Sequence, residues 1–241
     1  MPKFFTQNID PSHAVITGDD VRHITRVLRM KEGDKLIICD EMGHDFDCEI
    51  EKITKESVIC SVIAPRPGSS ESSCRVHIFM AVPKQDKMAT VVQKSVELGA
   101  VAITPVLTYR CVSRPEGKGA HNKIERWQKI AIEAAKQSGR SILPTVTPIM
   151  NLGEALEKMK EYQTGVVLYE KGGQPLGEFI NPNTESVAVL IGSEGGFEEE
   201  EIQRCQKAGV QVISLGRRIL RCETAPLAAL AVIQYLSGNL S

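Results

Sequence analysis

The sequence predicts an α/β protein with two domains, a small β domain followed by a larger domain built on a mostly parallel sheet. Three observations support this prediction. Short segments of alternating polarity fill residues 1–64, a polar stretch with two prolines and a glycine follows at 65–73, and buried strands then alternate with amphipathic helices. Such alternation of strands and helices is typical of a parallel sheet covered on both faces.

The first domain is predicted at residues 1–70 as a small β barrel or sheet with one helix. Three of its segments alternate between apolar and polar residues, as strands with one buried face do: 35–40, 47–53 and 57–63. The helix is expected near residues 20–30. The polar stretch 65–73 has no apolar period and is predicted to be a linker.

The second domain is predicted at residues 74–241. Its buried strands are expected at 76–82, 102–106, 166–169, 187–191 and 210–215. Its helices are expected at 86–98, 123–138, 152–160, 198–207 and 224–236. The last of these helices is apolar almost all round, so it must be buried in its own domain or against a second subunit.

Cysteine usage and hydropathy narrow the class of protein. The seven cysteines include no C-x-x-C pair and no cluster with histidine, which fits a reducing compartment and predicts no metal site. No apolar run has the length of a signal peptide or a membrane span. We therefore expect a cytoplasmic protein with no membrane partner.

The charge of the chain is unevenly distributed although its net value is only −1. Residues 75–147 carry 12 Lys and Arg against 5 Asp and Glu. A basic middle between acidic ends can bind a polyanion on one face. Charge alone leaves nucleic-acid binding and an ordinary solvated surface equally open.

A glycine-rich turn, Gly192-Ser193-Glu194-Gly195-Gly196, joins a buried strand to a helix that begins with four glutamates. The glycines allow the backbone to approach a ligand closely. The carboxylates would repel a pyrophosphate from the helix N-terminus, so a phosphate-free ligand with an adenosine face and a cationic sulfonium fits this turn better. A tight turn without any ligand is the alternative.

A second turn, at 214–226, also leaves a strand and enters a helix. It holds Arg217, Arg218, Arg221 and Glu223 within seven residues, with two apolar residues between them. A solvated charged loop would explain the arginines but not the apolar pair. Open α/β sheets bind ligands at the carboxyl ends of their strands, so we predict that both turns belong to one site.

Five segments in order resemble the RsmE family of the SPOUT methyltransferase superfamily, bacterial enzymes that methylate N3 of a uridine in 16S ribosomal RNA. The two turns carry the resemblance most clearly, as LIGSEGGF at 190–197 and LGRRILRCETA at 215–225. The other three segments are 23–29, 84–99 and 126–140. The likeness covers nearly the whole chain.

The resemblance implies a trefoil-knotted SPOUT α/β domain that follows a PUA-like β-barrel domain. It also implies S-adenosylmethionine as the cofactor and a homodimer whose interface builds each cofactor site. The cofactor contacts that it implies are Leu168, Tyr169, Glu170, Ile191, Gly192, Glu194, Gly195, Gly196, Leu215, Gly216, Ile219, Leu220, Cys222, Thr224 and Ala225. Cys222 departs from the family, which usually has threonine there. Because methylation of a nitrogen needs no cysteine nucleophile, we interpret Cys222 as a small packing residue.

Catalytic and RNA-binding residues follow from the same resemblance. Arg221 is predicted to stabilise negative charge that develops on the uracil, and Glu223 to act as general base or to hold Arg221. The partner is 16S ribosomal RNA of the small ribosomal subunit. The predicted RNA contacts are Arg22, His23, Arg26, Arg29, Lys84, Lys87, Arg126, Lys136 and Arg140. The last three are expected on one face of one helix. This face and the arginines of the β domain could form two basic surfaces that hold RNA by its phosphates.

Two alternatives remain open. The chain could be a SPOUT methyltransferase with another target, such as the 2′-hydroxyl of a transfer or ribosomal RNA ribose. It could also be a non-catalytic ribosome-assembly factor that only binds RNA. Titration with S-adenosylmethionine separates the second alternative, because a pure RNA-binding protein should show no heat of binding.

Overall fold

The structure, a computed structural model, describes residues 1–66 and 70–240. It divides into two compact units. The first comprises Met1–Glu71 and Ala135–Leu143, and the second comprises Ser72–Ala134 and Pro144–Ser241. The first domain was predicted to end at residue 70 and the second to begin at residue 74. That prediction did not assign residues 135–143 to the first unit. Part of the predicted linker, 67–69, lies outside the described residues.

The first unit contains a five-stranded sheet. Its strands are β1 (Lys3–Phe5), β2 (His13–Thr17), β3 (Lys35–Cys39), β4 (Asp45–Ile53) and β5 (Ser57–Arg66), in the order β1-β3-β4-β5-β2. The three predicted strands are confirmed as β3, β4 and β5. Alternate residues, among them Leu36, Ile38, Ile50 and Val58, point inward and form one apolar core.

The helical part of the first unit is shorter than the predicted 20–30. Helix α1 (Asp19–Arg22) continues directly into a π-helical turn, His23–Val27, in which Leu28 N–H donates to the His23 carbonyl over 2.9 Å. Arg29 then adopts a left-handed φ of 55° and ends the helical path. Ile24 is buried beneath this turn, whereas Val27 and Leu28 are exposed.

Segment 135–143 is held in the first unit by buried charges. Arg140 is only 3% exposed, and its guanidinium pairs with the Glu71 carboxylate, which also accepts the Ser141 N–H at 2.8 Å. Lys3 pairs with Asp45 at 2.6 Å and donates to the Ser141 hydroxyl at 3.0 Å. Burying charges is costly unless they are paired, so these bonds make the segment part of the unit.

The second unit contains an eight-stranded sheet within the described residues. Its strands are β6 (Arg75–Ala81), β7 (Ala100–Leu107), β8 (Thr145–Val146), β9 (Met150–Asn151), β10 (Thr164–Leu168), β11 (Gln174–Pro175), β12 (Ser186–Ile191) and β13 (Gln211–Ser214). They run in the order β11-β13-β10-β12-β6-β7-β8, with β9 also beside β7, and every pair is parallel. The predicted parallel sheet is therefore confirmed.

Five helices accompany this sheet. They are α2 (Lys87–Glu97), α3 (Gly117–Gln137), α4 (Leu152–Met159), α5 (Glu199–Lys207) and α6 (Ala225–Leu236). One core cluster joins strand residues Phe79 and Leu190 to Leu156 of α4 and Ile202 of α5. Helix α6 buries one side only, because Val232 and Tyr235 face outward.

No helix in the described ranges is both long and apolar enough to cross a membrane.

Helix α3 differs from the predicted 123–138 at both ends. It begins six residues earlier, at Gly117, and ends at Gln137 before Gly139, which adopts a left-handed φ of 72°. Arg140 therefore lies beyond the helix and does not continue the predicted basic stripe. Its burial against Glu71 also removes it from any surface that RNA could reach, which corrects its predicted role.

Candidate active site

Three loops at the carboxyl ends of neighbouring strands enclose a cavity of about 510 Å³ in the second unit. They follow β13, β10 and β12, which lie side by side in the sheet. A cavity of this volume suits a small-molecule ligand. The residues predicted to contact a cofactor line it, with Thr224 as the exception: Leu168, Tyr169, Glu170, Ile191, Gly192, Glu194, Gly195, Gly196, Leu215, Gly216, Ile219, Leu220, Cys222 and Ala225.

The glycine loop after β12 folds tightly because its glycines leave room for one another. A Cβ on Gly192 would lie 3.1 Å from the Gly196 Cα and 3.1 Å from the Phe197 ring. Gly196 has a φ of 66°, and a Cβ there would lie 3.0 Å from the Glu170 carboxylate. Side chains at these two positions would therefore close the loop against the cavity wall.

An arginine that sequence reasoning missed supports the glycine loop. Arg110, which follows β7, donates to both Glu198 carboxylate oxygens at 2.9 and 3.0 Å and to the Gly195 carbonyl at 2.7 Å. This fork-like contact lowers the pKa of Glu198. The sequence gives no signal for it, because Arg110 and Glu198 are 88 residues apart.

Lys87 links the two predicted turns from inside the cavity wall. Its ammonium lies 3.1 Å from Glu194 in the first turn and 3.3 Å from Glu223 in the second. These ion pairs, with Glu194 first, raise the pKa of Lys87. The predicted role of Lys87 as an RNA phosphate contact does not fit this position, because two carboxylates already neutralise its charge.

The carboxylates around Lys87 are held in the ionised form. Burial acts to raise the pKa of Glu194, but its own backbone N–H and Lys87 outweigh that effect and the pKa is lowered. The backbone N–H of Glu223 itself, with the Cys222 thiol and Lys87, lowers the pKa of Glu223. A carboxylate with a lowered pKa is a weak proton acceptor.

Cys222 is a buried residue of the second turn. Burial, followed by the hydrogen bond that its thiol donates to Glu223 at 3.2 Å, raises the pKa of Cys222 to about 12. The residue is therefore a protonated thiol at neutral pH rather than a nucleophilic thiolate. This state agrees with the interpretation of Cys222 as a packing residue.

The arginines of the second turn point outward. Arg217, Arg218 and Arg221 are exposed, and none of their guanidinium groups has a hydrogen-bond or ion-pair partner among the described residues. Arg218 and Arg221 line the cavity, whereas Arg217 does not. Glu223 pairs with Lys87 and not with Arg221. No contact therefore supports the predicted alternative in which Glu223 holds Arg221.

A buried hydroxyl without a hydrogen-bond partner lies in the cavity wall. Ser193 lines the cavity, is 6% exposed, and its Oγ has no hydrogen-bond partner among the described residues. Buried polar atoms without a partner are rare and costly. The predicted site residues did not include Ser193, nor four other lining residues, Phe197, Ile213, Ser214 and Arg218.

The remaining predicted RNA contacts lie outside the cavity. Arg22, His23, Arg26 and Arg29 surround the π-helical turn of the first unit, where Lys136 also lies, paired with Asp20 at 2.7 Å. In the second unit, Lys84 is exposed and Arg126 pairs with Asp86. No group of His, Cys, Asp or Glu in residues 1–66 and 70–240 is arranged to hold a metal ion.

Comparison with known families gives a consistent result. The family model for an RNA methyltransferase domain matches residues 70–234, and the model for an RNA methyltransferase PUA domain matches residues 16–63. The chain is 39% identical to the ribosomal RNA small subunit methyltransferase E of Bacillus subtilis, over 91% of this chain and 89% of the relative. It is 31% identical to the protein of the same name from Buchnera aphidicola of Acyrthosiphon pisum, over 99% and 95%.

A solved structure is similar over its whole length. The ribosomal RNA small subunit methyltransferase E of Neisseria gonorrhoeae, bound to S-adenosyl methionine, superposes with a TM-score of 0.89 and 34% identity. The alignment covers 98% of each chain.

Proposed function

The chain belongs to the ribosomal RNA small subunit methyltransferase E family, and from this premise we propose that it methylates N3 of a uridine in 16S ribosomal RNA with S-adenosylmethionine. The observation that carries the proposal is the cavity at the carboxyl ends of β13, β10 and β12, lined by the two turns that resemble the family's cofactor loops. A ribosomal substrate also places the protein in the cytoplasm, where subunits are assembled.

The lining residues fit S-adenosylmethionine. Backbone groups of the glycine loop and the apolar side chains of Leu168, Ile191 and Leu220 suit an adenosine, and the unpaired Ser193 hydroxyl would gain a polar partner. The Glu170 carboxylate in the lining would attract the positive charge of a sulfonium. When bound, S-adenosylmethionine supplies an electrophilic methyl group on a positively charged sulfur.

Arg221 is the residue that we assign to the uracil. N3 must lose its proton, which passes to solvent, and the exposed Arg221 guanidinium at the cavity, which has no competing partner, would stabilise the negative charge left on the base. Glu223 is ionised and held by Lys87 and Cys222, so we assign it to positioning Lys87 rather than to accepting the N3 proton.

RNA binding would use both units. In the first unit, Arg22, Arg26 and Arg29 supply positive charge around the π-helical turn, and His23 lies beside them. In the second unit, Lys84 supplies a further exposed charge. Contacts of this kind fix the position of RNA through its phosphates without reading sequence.

We also propose that the protein is a homodimer through the outer side of α6. That side carries the exposed residues Val232 and Tyr235, while Leu230 and Ile233 are buried on the other side. A helix with an apolar outer face needs a covering surface. The trefoil knot that the family resemblance implies stays a prediction alongside the dimer.

Methylation of small-subunit ribosomal RNA, or of whole subunits, by the purified protein tests the proposed function. Nucleoside mass analysis should show 3-methyluridine when S-adenosylmethionine is present. A 2′-O-methylated nucleoside would instead support the alternative SPOUT target. Absence of any heat on titration with S-adenosylmethionine would support a factor that only binds RNA.

A further inference from the structure

The loop between β7 and α3 exposes two large apolar side chains that the proposed function does not use. Tyr109 is 74% exposed and Val112 is 70% exposed. Single exposed apolar residues are common on protein surfaces and carry no meaning by themselves. The way in which this loop is held, and the place where it lies, distinguish Tyr109.

The backbone on both sides of the Tyr109 ring is fixed by side chains. The Tyr109 N–H donates to the buried carboxylate of Glu201 at 2.9 Å. Arg114 donates to the carbonyls of Thr108 at 2.7 Å and of Tyr109 at 3.1 Å. Cys111 anchors the loop in a small apolar cluster with Val82. The loop therefore presents the ring with little freedom of its backbone.

The loop between β7 and α3 contacts the wall of the cofactor cavity. Arg110, the residue after Tyr109, bonds to the Gly195 carbonyl, and a Cβ added to Gly195 would lie 2.9 Å from the Arg110 Cβ. Gly195 is itself a lining residue of the cavity. Tyr109 is therefore one residue away from a side chain that contacts the cavity wall.

The loop itself carries more basic than acidic residues, while the Glu198 and Glu201 carboxylates of α5 accept hydrogen bonds from it. Residues 108–118 contain Arg110, Arg114 and Lys118 against one acid, Glu116. Arg110 is neutralised by Glu198, but Arg114 is exposed and makes its two bonds to neutral carbonyls through one terminal nitrogen. An exposed aromatic ring and an exposed cation on one fixed segment can together bind an unpaired nucleotide, through stacking and phosphate contact.

We propose that Tyr109 and Arg114 form a stacking platform for an unpaired RNA base next to the target uridine. This inference rests on the proposed function and adds a contact to it. A uracil can present N3 only when it is unpaired, so its neighbours in the RNA lose stacking when it leaves the helix. The platform replaces part of that stacking and keeps the target at the cavity.

Two substitutions at position 109 test the platform. Tyr109→Ala should raise the KM for a structured ribosomal RNA fragment about 5- to 150-fold, the range for loss of one base–aromatic stack. The kcat and the affinity for S-adenosylmethionine should stay unchanged. Tyr109→Trp should keep the KM near that of the parent protein, because an indole stacks as well. Val112→Ala is the matched control, since it removes an exposed apolar group from the same loop without removing a ring.

Fluorescence of the Tyr109→Trp variant gives a second readout that does not depend on turnover. The natural Trp127 is buried, so the exposed indole dominates any response to quenching. Addition of RNA should quench its emission. An unchanged KM for Tyr109→Ala, or emission that RNA does not alter, would overturn the platform even if the parent protein methylates RNA normally.

Sedimentation tests whether a second copy of the chain, rather than RNA, covers Tyr109. If Tyr109 packed against a second copy of the chain, Tyr109→Ala would change the sedimentation of the protein in the absence of RNA, and that result would refute the platform. If the parent protein fails to form 3-methyluridine while RNA still quenches the Tyr109→Trp emission, the methylation proposal fails and the stacking contact stands.

Discussion

Arg221 and Arg217 stand in the same loop, are both exposed, and differ in that only Arg221 lines the cavity. Replacing Arg221 with alanine should lower kcat by about 10²- to 10³-fold, the cost of losing one group that stabilises developing negative charge. The affinity for S-adenosylmethionine should remain nearly intact. Single-turnover methylation and calorimetry measure the two effects separately.

Arg217→Ala is the control for the Arg221 variant. It removes the same charge from the same loop, so it should keep kcat close to that of the parent protein. Equal losses in both variants would show that overall loop charge, rather than a contact at the cavity, drives the effect. Full turnover in Arg221→Ala would refute the assigned role.

His77 makes stability depend on pH. It is buried in the sheet between the Tyr162 hydroxyl at 2.6 Å and the Thr104 hydroxyl at 2.7 Å, and burial lowers its pKa to about 3. An unfolded histidine has a pKa of about 6.5, so below that pH the unfolded state binds a proton that the folded state does not. Stability should therefore fall as pH drops from about 6.5 towards 3, by at most about 1.4 kcal/mol per pH unit from this residue.

Urea unfolding between pH 7 and pH 4 measures the contribution of His77. His77→Gln should show a shallower loss of stability with falling pH, whatever its stability at pH 7. The exposed His121 provides the control, and His121→Gln should keep the slope of the parent protein. Identical slopes in all three proteins would contradict the role of His77.

At the scale of residues, the sequence predicted which positions line the cavity but not which partners hold them. The glycines and arginines of the two turns are close in sequence, so their pattern is visible there. Lys87, Arg110 and Glu170 reach the same site from other parts of the chain, and such long-range pairings leave no local pattern. The buried Ser193 hydroxyl was missed because a serine in a turn is usually solvated.

The glycine loop is the element on which the cofactor site depends. Gly196→Ala should lower the free energy of unfolding by about 1–2 kcal/mol for the left-handed backbone and should also weaken S-adenosylmethionine binding at least about tenfold. The second effect follows because the new methyl group would lie 3.0 Å from the Glu170 carboxylate at the cavity. Calorimetry with the purified variant measures the affinity.

Gly209 provides the matched control for this element. Its φ of 86° also lies in the left-handed region, but a Cβ there meets nothing within 4 Å. Gly209→Ala should therefore lose similar stability and bind S-adenosylmethionine as the parent protein does. If both variants keep full affinity, the tight packing of the loop is not required for the cofactor.

Regular elements were predictable where their periodicity is long. Helices α2, α4 and α5 and strands β6, β10 and β12 lie within a few residues of their predicted bounds. Strands β8, β9 and β11 have two residues each, too few for any alternating pattern. Arg140 continued the apparent helical period of α3, and its pairing with the partly buried Glu71 explains why it turns into the first unit instead.

At the scale of the whole molecule, charge and hydropathy carried different amounts of information. Part of the basic excess of residues 75–147 is neutralised within the protein, because Arg140 and Lys87 pair with glutamates and Arg126 pairs with Asp86. The apolar character of α6 was the better guide. It predicted a helix that is buried in its own domain or against a second subunit, and its own unit leaves Tyr235 68% exposed.

The outer side of α6 leads to the last prediction. Val232 and Tyr235 lie three residues apart on one helical face, and Leu230 and Ile233 already fill the inner face. A glutamate at position 235 would place a charge in the proposed dimer interface, where it would have no partner. Tyr235→Glu should therefore sediment as a monomer at micromolar concentration, whereas the parent protein sediments at twice that mass.

Ile63→Glu, which adds the same charge at an exposed apolar position on β5, should remain a dimer. Because the interface is proposed to complete the cofactor site, the Tyr235→Glu monomer should also bind S-adenosylmethionine weakly, and a monomeric parent protein with full activity would refute both statements.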